Sequence, residues 1–376
     1  MAALYIHIPF CKQRCRYCAF YSTTLHTLQE AYVAALCKEL TMRTEYAGKE
    51  ISTIYFGGGT PSLLTDTQLH TITHTIKKEY HIAPDAEVTI ECNPDDLTPK
   101  RLALLRSLGF NRISMGVQSF DDRLLKMLGR RHTAQSARNA VEAARAAGFS
   151  NISIDLMFAL PGSTAESWAS DLRSAIELCP NHISAYNLTY EEDTPLQRDL
   201  QRGIITELSE EENLAQFNTL VEELGKAGYR HYEISNFALP GCESRHNSSY
   251  WNDTPYTGCG AAAHSYDGSA REWNIADIKE YIKGIESGKR NFEVEHLSLA
   301  ERYNDAVLTR LRTAAGINPA MVKEKFGDTL YNYMIKGVRK EIAAGNLQKL
   351  PDGCYALTRK GIFVSDAVIR ELIYVE

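Results

Sequence analysis

Three cysteines close together near the start of the chain are its strongest sign of chemistry. They are Cys11, Cys15 and Cys18, in the stretch CKQRCRYC. Thiolates are the usual ligands of iron–sulfur clusters, which commonly take four of them. Three thiolates therefore predict a four-iron cluster in which one iron lacks a protein ligand and can bind a small molecule through an amine and a carboxylate. A structural zinc site is the alternative, but it usually needs four protein ligands, and no second pair is evident.

A run of three glycines follows a strand pattern in the stretch IYFGGGTPS, residues 54–62. Glycine lets the backbone approach a ligand closely and take a positive φ. An ordinary turn from a strand into a helix needs only one glycine. The run therefore favours a loop that contacts a ligand.

Four polar residues lie at or just after the ends of later strand patterns, namely Glu91, Gln118, Arg130 and Asp155. A carboxylate within an apolar strand is costly unless it has a partner. Salt bridges or caps inside the fold would explain each residue separately. Together they could bind the hydroxyl groups and charges of one polar cofactor, with Arg130 pairing a carboxylate in a two-pronged contact.

The elements that must position these residues alternate along the first 235 residues of the chain. Strand patterns rich in Ile, Val, Tyr and Phe occur at 4–8, 51–56, 87–91, 112–117, 152–158 and 183–188, with a further candidate at 232–235. Helical patterns lie between them, and Thr65 with Gln68 and Ser163 with Glu166 fit capping boxes. The alternation predicts parallel strands joined by right-handed crossovers, as a six-unit partial barrel or an open sheet. In both, ligands bind at the carboxyl ends of the strands.

On these motifs the chain resembles the radical S-adenosylmethionine (SAM) superfamily, and within it the HemN/HemW group of coproporphyrinogen III oxidase-like proteins. The resemblance covers nearly the whole chain. It implies an α/β fold, a partial (β/α)6 TIM-like barrel followed by a small, mainly helical, winged-helix-like domain. The expected division is a barrel at 1–238, a connecting region at 239–296 and a C-terminal domain at 297–376.

The resemblance also implies the cofactors, a [4Fe–4S] cluster on the three cysteines and SAM on its open iron. In the superfamily an electron from the cluster cleaves SAM to a 5′-deoxyadenosyl radical, and whether this chain does so stays open. The residues that match SAM-binding positions of the group are Tyr5, Tyr17, Gly58, Gly59, Thr60, Glu91, Gln118, Arg130, Asp155 and Thr189.

Two branches of this group differ at the start of the chain. The oxidases have a longer N-terminal arm and a fourth cysteine two residues past the third. Here the first strand pattern begins at Leu4, and Phe20 takes the place of that cysteine. Both features disfavour conversion of coproporphyrinogen III to protoporphyrinogen IX by radical decarboxylation, which remains the main alternative. They match the haem-chaperone branch.

The stretch 232–251 also matches the haem-chaperone branch through its HNxxYW motif. The resemblance implies that the chain binds haem and delivers it to target haemoproteins. The candidate haem residues in the motif are His246, Tyr250 and Trp251, and His264 is a second candidate histidine. A packed loop in which His246 is only hydrogen-bonded is the alternative.

Composition and charge limit the remaining classes of function. Lys and Arg total 41 and Asp and Glu total 47 among 376 residues, so the net charge is −6. This balance argues against nucleic-acid binding. A zinc-bearing module with a winged-helix DNA contact is the third alternative. We see no signal peptide or transmembrane stretch, and expect a cytoplasmic protein. An electron donor is an expected partner, and the chain could be a monomer or a homodimer.

Overall fold

The structure, a computed structural model, describes residues 2–43 and 50–375. Its centre is a sheet to which twelve strands of the described residues contribute. These strands are β1 Ala2–Ile8, β2 Ile51–Gly58, β3 Ile82–Cys92, β4 Arg112–Gln118, β5 Asn151–Phe158, β6 His182–Asn187, β7 Arg230–Glu233, β8 Asn236–Ala238, β9 Tyr256–Cys259, β10 His264–Tyr266, β11 Ala270–Asn274 and β12 Phe292–His296.

Helices cover the outer face of this sheet and form most of the C-terminal part. They are α1 Gln29–Met42, α2 Asp66–Glu79, α3 Pro99–Leu108, α4 Asp122–Met127, α5 Ala134–Ala146, α6 Ala165–Leu178, α7 Pro195–Gln201, α8 Glu210–Lys226, α9 Arg245–Trp251, α10 Ile278–Glu286, α11 Leu299–Leu311, α12 Pro319–Ala343, α13 Arg359–Phe363 and α14 Ser365–Leu372. None of the helices in the described ranges is long and apolar enough to span a membrane.

The six predicted strands are confirmed as a parallel partial barrel. They pair in the order β1 to β6, each parallel to the next. Side chains alternate between the two faces of each strand. In β4, Ile113, Met115 and Val117 are fully buried in the core, whereas the alternate residues face the barrel interior. The barrel therefore has an apolar outer face and a polar interior.

The predicted helix boundaries are right at one capping box and wrong at the other. The Thr65 hydroxyl accepts a hydrogen bond from the Gln68 N–H at 3.2 Å, as predicted. The box predicted at Ser163 begins one residue later, where Thr164 caps α6 with Ser167. The backbone N–H of Ser163 instead closes the preceding turn.

The segment 240–275 differs from the ordered loop region that its composition predicts. It contains α9 and three strands, and β9 extends the sheet by pairing in parallel with β1. The buried carboxylate of Glu39 joins α1 to this extension. It accepts hydrogen bonds from the Gly260 N–H, the Asn274 amide and the Tyr281 hydroxyl, each at 2.7 Å.

The C-terminal part has a core of its own, built around Tyr303, Leu311, Met334 and Leu372. Helices α11 to α14 surround a hairpin of β13 Leu347–Lys349 and β14 Tyr355–Leu357. This arrangement agrees with the predicted winged-helix-like fold. The exact domain boundaries remain predictions.

Candidate cofactor-binding site

The cysteine loop, residues 9–23, follows β1 at the carboxyl end of the barrel. Its backbone is held at both ends, since the Thr23 N–H donates to the Pro9 carbonyl at 2.7 Å and the Cys11 N–H to the Thr23 carbonyl at 2.9 Å. Its middle is tied to the rest of the barrel by the Arg16 N–H, which donates to Leu128 at 3.0 Å. Cys11, Cys15 and Cys18 are half-buried free thiols that line one cavity of about 610 Å³.

Two side chains from other segments donate hydrogen bonds to the cysteine sulfurs. The Thr60 hydroxyl lies 3.5 Å from Cys11 Sγ, and Arg130 Nη1 lies 3.2 Å from Cys15 Sγ. Donors of this kind stabilise thiolates, the form that binds metal. Within the described residues, no three His, Cys, Asp or Glu side chains converge on a point where a single metal ion could bind. Three cysteine thiols on one loop, lining one cavity, are the kind of ligand set that a four-iron cluster would use, with each thiolate on a different iron.

The glycine run packs the end of β2 against the cysteine loop. Gly58 has a φ of +110°, and a Cβ atom there would lie 2.6 Å from His7 Cε1. A Cβ atom at Gly59 would lie 2.8 Å from the carbonyl oxygen of Phe10. The backbone N–H of Gly58 remains directed inward, where it donates to Glu91 Oε2 at 3.1 Å. A side chain at Gly58 would therefore collide with His7 of β1, and one at Gly59 with the backbone at the start of the cysteine loop.

Glu91 and Asp155 are two carboxyl groups on the cavity floor. Burial raises the pKa of Glu91 to about 7, partly offset by the Tyr55 hydroxyl, which donates to Oε1 at 2.8 Å. Burial likewise raises the pKa of Asp155 to about 6, although hydrogen bonds from Ser184 and Ser114 favour its charged form. Near neutral pH Asp155 is therefore mostly ionised, Glu91 is divided between its charged and protonated forms, and both can accept hydrogen bonds from a ligand.

Gln118 and Arg130 complete the polar side of the cavity. Gln118 ends β4 with a φ of +69°, a conformation that residues other than glycine seldom adopt and that often marks a functional site. Arg130 donates through Nη2 to the Gly116 carbonyl at 2.5 Å and to the Asn93 side chain. The guanidinium therefore joins the end of β4 to the sulfur of Cys15.

Twelve of the thirteen predicted cluster and SAM residues line this single cavity. They are Cys11, Cys15, Cys18, Tyr17, Gly58, Gly59, Thr60, Glu91, Gln118, Arg130, Asp155 and Thr189. The thirteenth, Tyr5, does not line it and lies deeper in the barrel. Its hydroxyl is 3.1 Å from His7 Nδ1, and its ring stacks on Tyr55 with centroids 6.2 Å apart.

The sequence analysis missed several residues of the cavity wall. The alternation of strand side chains could have found Ser114 and Gly116, because they lie four and two residues before Gln118 on the same face of β4. The same rule places Tyr186 on the interior face of β6. Phe20 also lines the cavity, and its ring is 72% exposed.

The predicted haem residues lie at the opposite, amino end of the barrel, on α9. His246 is 1% exposed; its Nδ1 is 2.9 Å from the Thr53 hydroxyl and its Nε2 is 2.9 Å from the Tyr250 hydroxyl. The side chain of Glu87 accepts hydrogen bonds from the backbone N–H groups of Arg245 and His246. Burial lowers the pKa of His246 to about 3, so its ring is neutral. This arrangement is the hydrogen-bonded alternative that the sequence left open.

Trp251 and His264 are also away from the cysteines. The Arg312 guanidinium lies over the Trp251 ring at 5.8 Å, and His264 stacks on Trp273 with centroids 5.8 Å apart. None of these residues lines the cavity that holds the cysteine loop. A role of His246, Tyr250 and Trp251 in haem binding stays a prediction, and ligation of iron by His246 would require α9 to leave its place.

The fold and the cysteine site define a radical SAM protein. The model of the Radical SAM superfamily matches residues 5–175, and the model of the HemN C-terminal domain matches residues 297–364. The structure is similar to that of coproporphyrinogen III oxidase (HemN) from Escherichia coli, with a TM-score of 0.86 and 24% identity over 99% of this chain and 90% of that one. At this identity the likeness shows the fold alone.

Curated relatives show which family within the radical SAM superfamily the chain belongs to. The haem chaperone HemW of Lactococcus lactis is 38% identical over 324 residues, which cover 86% of this chain and 84% of the relative. HemW of Bacillus subtilis is 34% identical over 372 residues, 98% of each protein. The chain therefore belongs to the HemW family of radical SAM proteins.

Proposed function

We propose that this protein is a haem chaperone that binds a [4Fe–4S] cluster on Cys11, Cys15 and Cys18, and SAM beside it. One observation carries the cofactor part, namely that twelve residues predicted from seven separated stretches of sequence line the same cavity. The relatives that are named haem chaperones support the rest.

The residues present fit both cofactors. When bound, the cluster supplies an iron without a protein ligand, which can take the amine and carboxylate of SAM. Glu91 and Asp155 offer anionic acceptors for an amine or for ribose hydroxyls, and Arg130 offers a cation for a carboxylate. Cys15 is held next to that cation, so the thiolate and the carboxylate would share one positive neighbour.

We place the haem at the mouth of the same cavity. Phe20 is 72% exposed there, and Tyr186, which is 42% exposed, lines the same cavity. Arg14 is exposed at this mouth and has no hydrogen bond or ion pair within residues 2–43 and 50–375. Two aromatic faces and an unpaired cation suit a flat apolar ring with carboxylate side chains.

The main alternative is the oxidase reaction on coproporphyrinogen III. The fold that the chain shares with HemN does not distinguish the two functions, whereas Phe20 in place of the fourth cysteine disfavours the oxidase reaction. Incubation of the reconstituted protein with coproporphyrinogen III, SAM and a reductant separates the two functions. We expect no protoporphyrinogen IX, and its formation at a catalytic rate would favour the oxidase.

The chaperone function is tested by anaerobic reconstitution followed by titration with haem. We expect about four irons per chain and a change in the cluster's electron paramagnetic resonance spectrum when SAM is added. Haem should give a saturable Soret band. A protein that binds neither iron nor haem would contradict the proposal.

Three variants then locate the haem. Phe20→Ala should weaken haem binding about tenfold, because an aromatic contact is lost. Leu25→Ala removes another exposed apolar side chain that lies outside the cavity lining, and should leave the affinity unchanged. If His246→Ala abolishes haem binding and Phe20→Ala does not, the haem binds at α9 instead.

Delivery of haem to recipient haemoproteins, an electron donor for the cluster and a cytoplasmic location belong to the same proposal. Their support is the names of the relatives and the composition of the chain. Transfer is tested by mixing haem-loaded protein with a haem-free haemoprotein and following the shift of the Soret band.

A further inference from the structure

A buried arginine lies in the barrel interior below the cavity. Arg112 begins β4 and is 1% exposed. In the sheet it pairs with Thr89 of β3 on one side and with Asn151 of β5 on the other. Ser114 and Gly116, farther along the same face of β4, line the cavity. Arg112 therefore belongs to the interior face, one layer beneath the cavity floor.

This arginine has no direct partner. Within the described residues it forms no hydrogen bond or ion pair, and its Nε is a buried donor without an acceptor. The buried Thr89 hydroxyl and the Asn151 side-chain oxygen, its two neighbours in register, also lack partners. Buried polar groups in proteins are nearly always hydrogen-bonded. The row formed by Thr89, Arg112 and Asn151 is therefore suited to hydrogen bonding with ordered water. The guanidinium charge is therefore not neutralised by a fixed ion pair.

A guanidinium stays protonated in a protein, and burying its charge is costly unless opposite charge lies near. Ser114, two residues after Arg112 on the same face of β4, pairs in register with Glu91 and donates to Asp155 Oδ1 at 3.3 Å, which places both carboxyls one layer above the guanidinium. Burial raises the pKa of each carboxyl, and the charge of Arg112 is one of the influences that lower it. A third carboxylate, Glu87, lies two residues before Thr89 on the same face of β3 and accepts hydrogen bonds from the start of α9. The other titratable groups that face Glu91 and Asp155 are Tyr5, Tyr55, Cys92, Tyr186, Tyr250 and Arg130.

Among these neighbours Arg112 is the cation shared by both carboxyl groups. Burial raises the pKa of Tyr5, Tyr55 and Tyr250, and desolvation with the charge of Asp155 raises that of the partly exposed Tyr186, so all four stay neutral. Arg130 acts on Asp155 from the side of the cavity, where it also contacts Cys15. Two nearby histidines, His182 and His246, are neutral because burial and the charge of Arg112 lower their pKa values.

We propose that Arg112 is a positioning residue of the SAM site, whose charge beneath the cavity floor favours the ionised forms of Glu91 and Asp155, the forms that accept hydrogen bonds from SAM. The inference rests on the proposed binding of SAM. It assigns a role to a residue that does not reach the ligand. Its effect on SAM is carried by the charge of the two carboxyl groups.

The test is the dissociation constant of SAM for the reconstituted protein, measured by equilibrium dialysis from pH 6 to pH 9. Without the guanidinium the two carboxyl groups hold their protons to higher pH. Arg112→Gln should therefore bind SAM about tenfold more weakly near pH 7 and recover above pH 8.5. Iron content should equal that of the unaltered protein. An Arg112→Gln profile that matches the unaltered one would overturn the inference.

Arg112→Lys keeps the charge and should keep the original pH profile, whereas a profile like that of Arg112→Gln would overturn the role of charge. Arg173→Gln, on the exposed face of α6, is the matched control and should change nothing. If the unaltered protein fails to bind SAM at any pH, the proposed function fails together with the inference. If it binds SAM and the two profiles coincide, the inference alone fails.

A second readout substitutes one of the carboxyl groups and leaves Arg112 in place. Glu91→Gln, with Arg112 in place, should weaken SAM binding at pH 8 about tenfold, and an unchanged affinity would overturn the inference. Proton release on SAM binding, measured by calorimetry in two buffers at pH 7.5, gives the same information. The amine of SAM contributes equally in all variants, so Arg112→Gln should release more protons than the unaltered protein, and equal release would count against the role of Arg112.

Discussion

The two ends of the barrel use the same kinds of residue in opposite ways. At the amino end, the side chains of Glu87 and His246 are hydrogen-bonded to other protein groups, and α9 closes the interior. At the carboxyl end, Glu91 and Asp155 line an open cavity and retain acceptor capacity for a ligand. A buried polar group is thus a sign of function only where protein partners do not already satisfy it.

Removal of one cysteine should have the largest effect, confined to the carboxyl end. Cys15→Ala should reduce iron from about four per reconstituted chain to less than one, because a cluster with two protein thiolates is poorly held. Iron analysis and the visible absorption spectrum measure this. Cys179→Ala, which removes an exposed thiol elsewhere, serves as the control and should keep its iron. Full iron in Cys15→Ala would break the assignment of the cluster.

The second-largest effect is expected from neutralising a carboxylate of the cavity floor, which should reduce the affinity for SAM. Asp155→Asn should raise the dissociation constant of SAM about 10- to 100-fold, because a charged acceptor becomes a neutral amide. Equilibrium dialysis on the iron-loaded protein measures the change. Asp366→Asn, an exposed carboxyl on α14, should bind SAM normally. Equal affinities for the two variants would show that the floor is structural, like the amino end.

The two cavity carboxyls should also change how stability depends on pH. Their pKa values, about 7 and about 6, lie above those of an unfolded chain, near 4, so the native state binds more protons in that range. Their contribution to the free energy of unfolding therefore falls as pH rises from about 4 to 7.

Urea unfolding of metal-free protein at pH 5 and pH 7.5 measures this slope. Glu91→Gln should reduce the fall in unfolding free energy between the two pH values by about 2 kcal/mol. Glu142→Gln, on the exposed face of α5, should leave it intact. If Glu91→Gln showed the original fall, the burial of Glu91 would not be the cause.

The smallest effect is expected at the amino end, in stability alone. Glu87→Gln should lower the free energy of unfolding by about 1–2 kcal/mol, since one oxygen and the charge that hold the start of α9 are lost. Thermal unfolding gives the change, with Glu142→Gln as a reference. SAM affinity should stay within about twofold of the original. A tenfold loss of SAM affinity would mean that the two ends are coupled.

Most of the carboxyl end could be predicted from the sequence, because its signals are local. The spacing of Cys11, Cys15 and Cys18 indicates a set of metal ligands, and the polar residues of the cavity are found because they follow apolar strands. Phe20 was noticed as a replacement for a cysteine, but its exposure at the cavity mouth could not be known, since it depends on how the cysteine loop is tied down. Arg112 was missed because a charged residue at the start of a strand usually points to solvent.

The amino end and the sheet extension could not be predicted in the same way. The stretch RHNSSYW has no apolar periodicity, and α9 is held by Glu87, which lies 158 residues earlier in the chain than Arg245. Strand β9 contains glycine and pairs with β1 at the other end of the sequence. Long-range partners of this kind leave no pattern within a short window.

The pairing of β1 with β9 has a consequence for how the protein is made. The cysteine loop continues from a strand whose two neighbours are β2 and β9, and Ala3 pairs with Tyr256. A growing chain that has not yet emerged past that tyrosine has an unprotected edge on β1, and long-range pairings form slowly. Assembly of the metal centre should therefore follow synthesis of about two thirds of the polypeptide, so the iron donor would act only after Tyr256 has emerged.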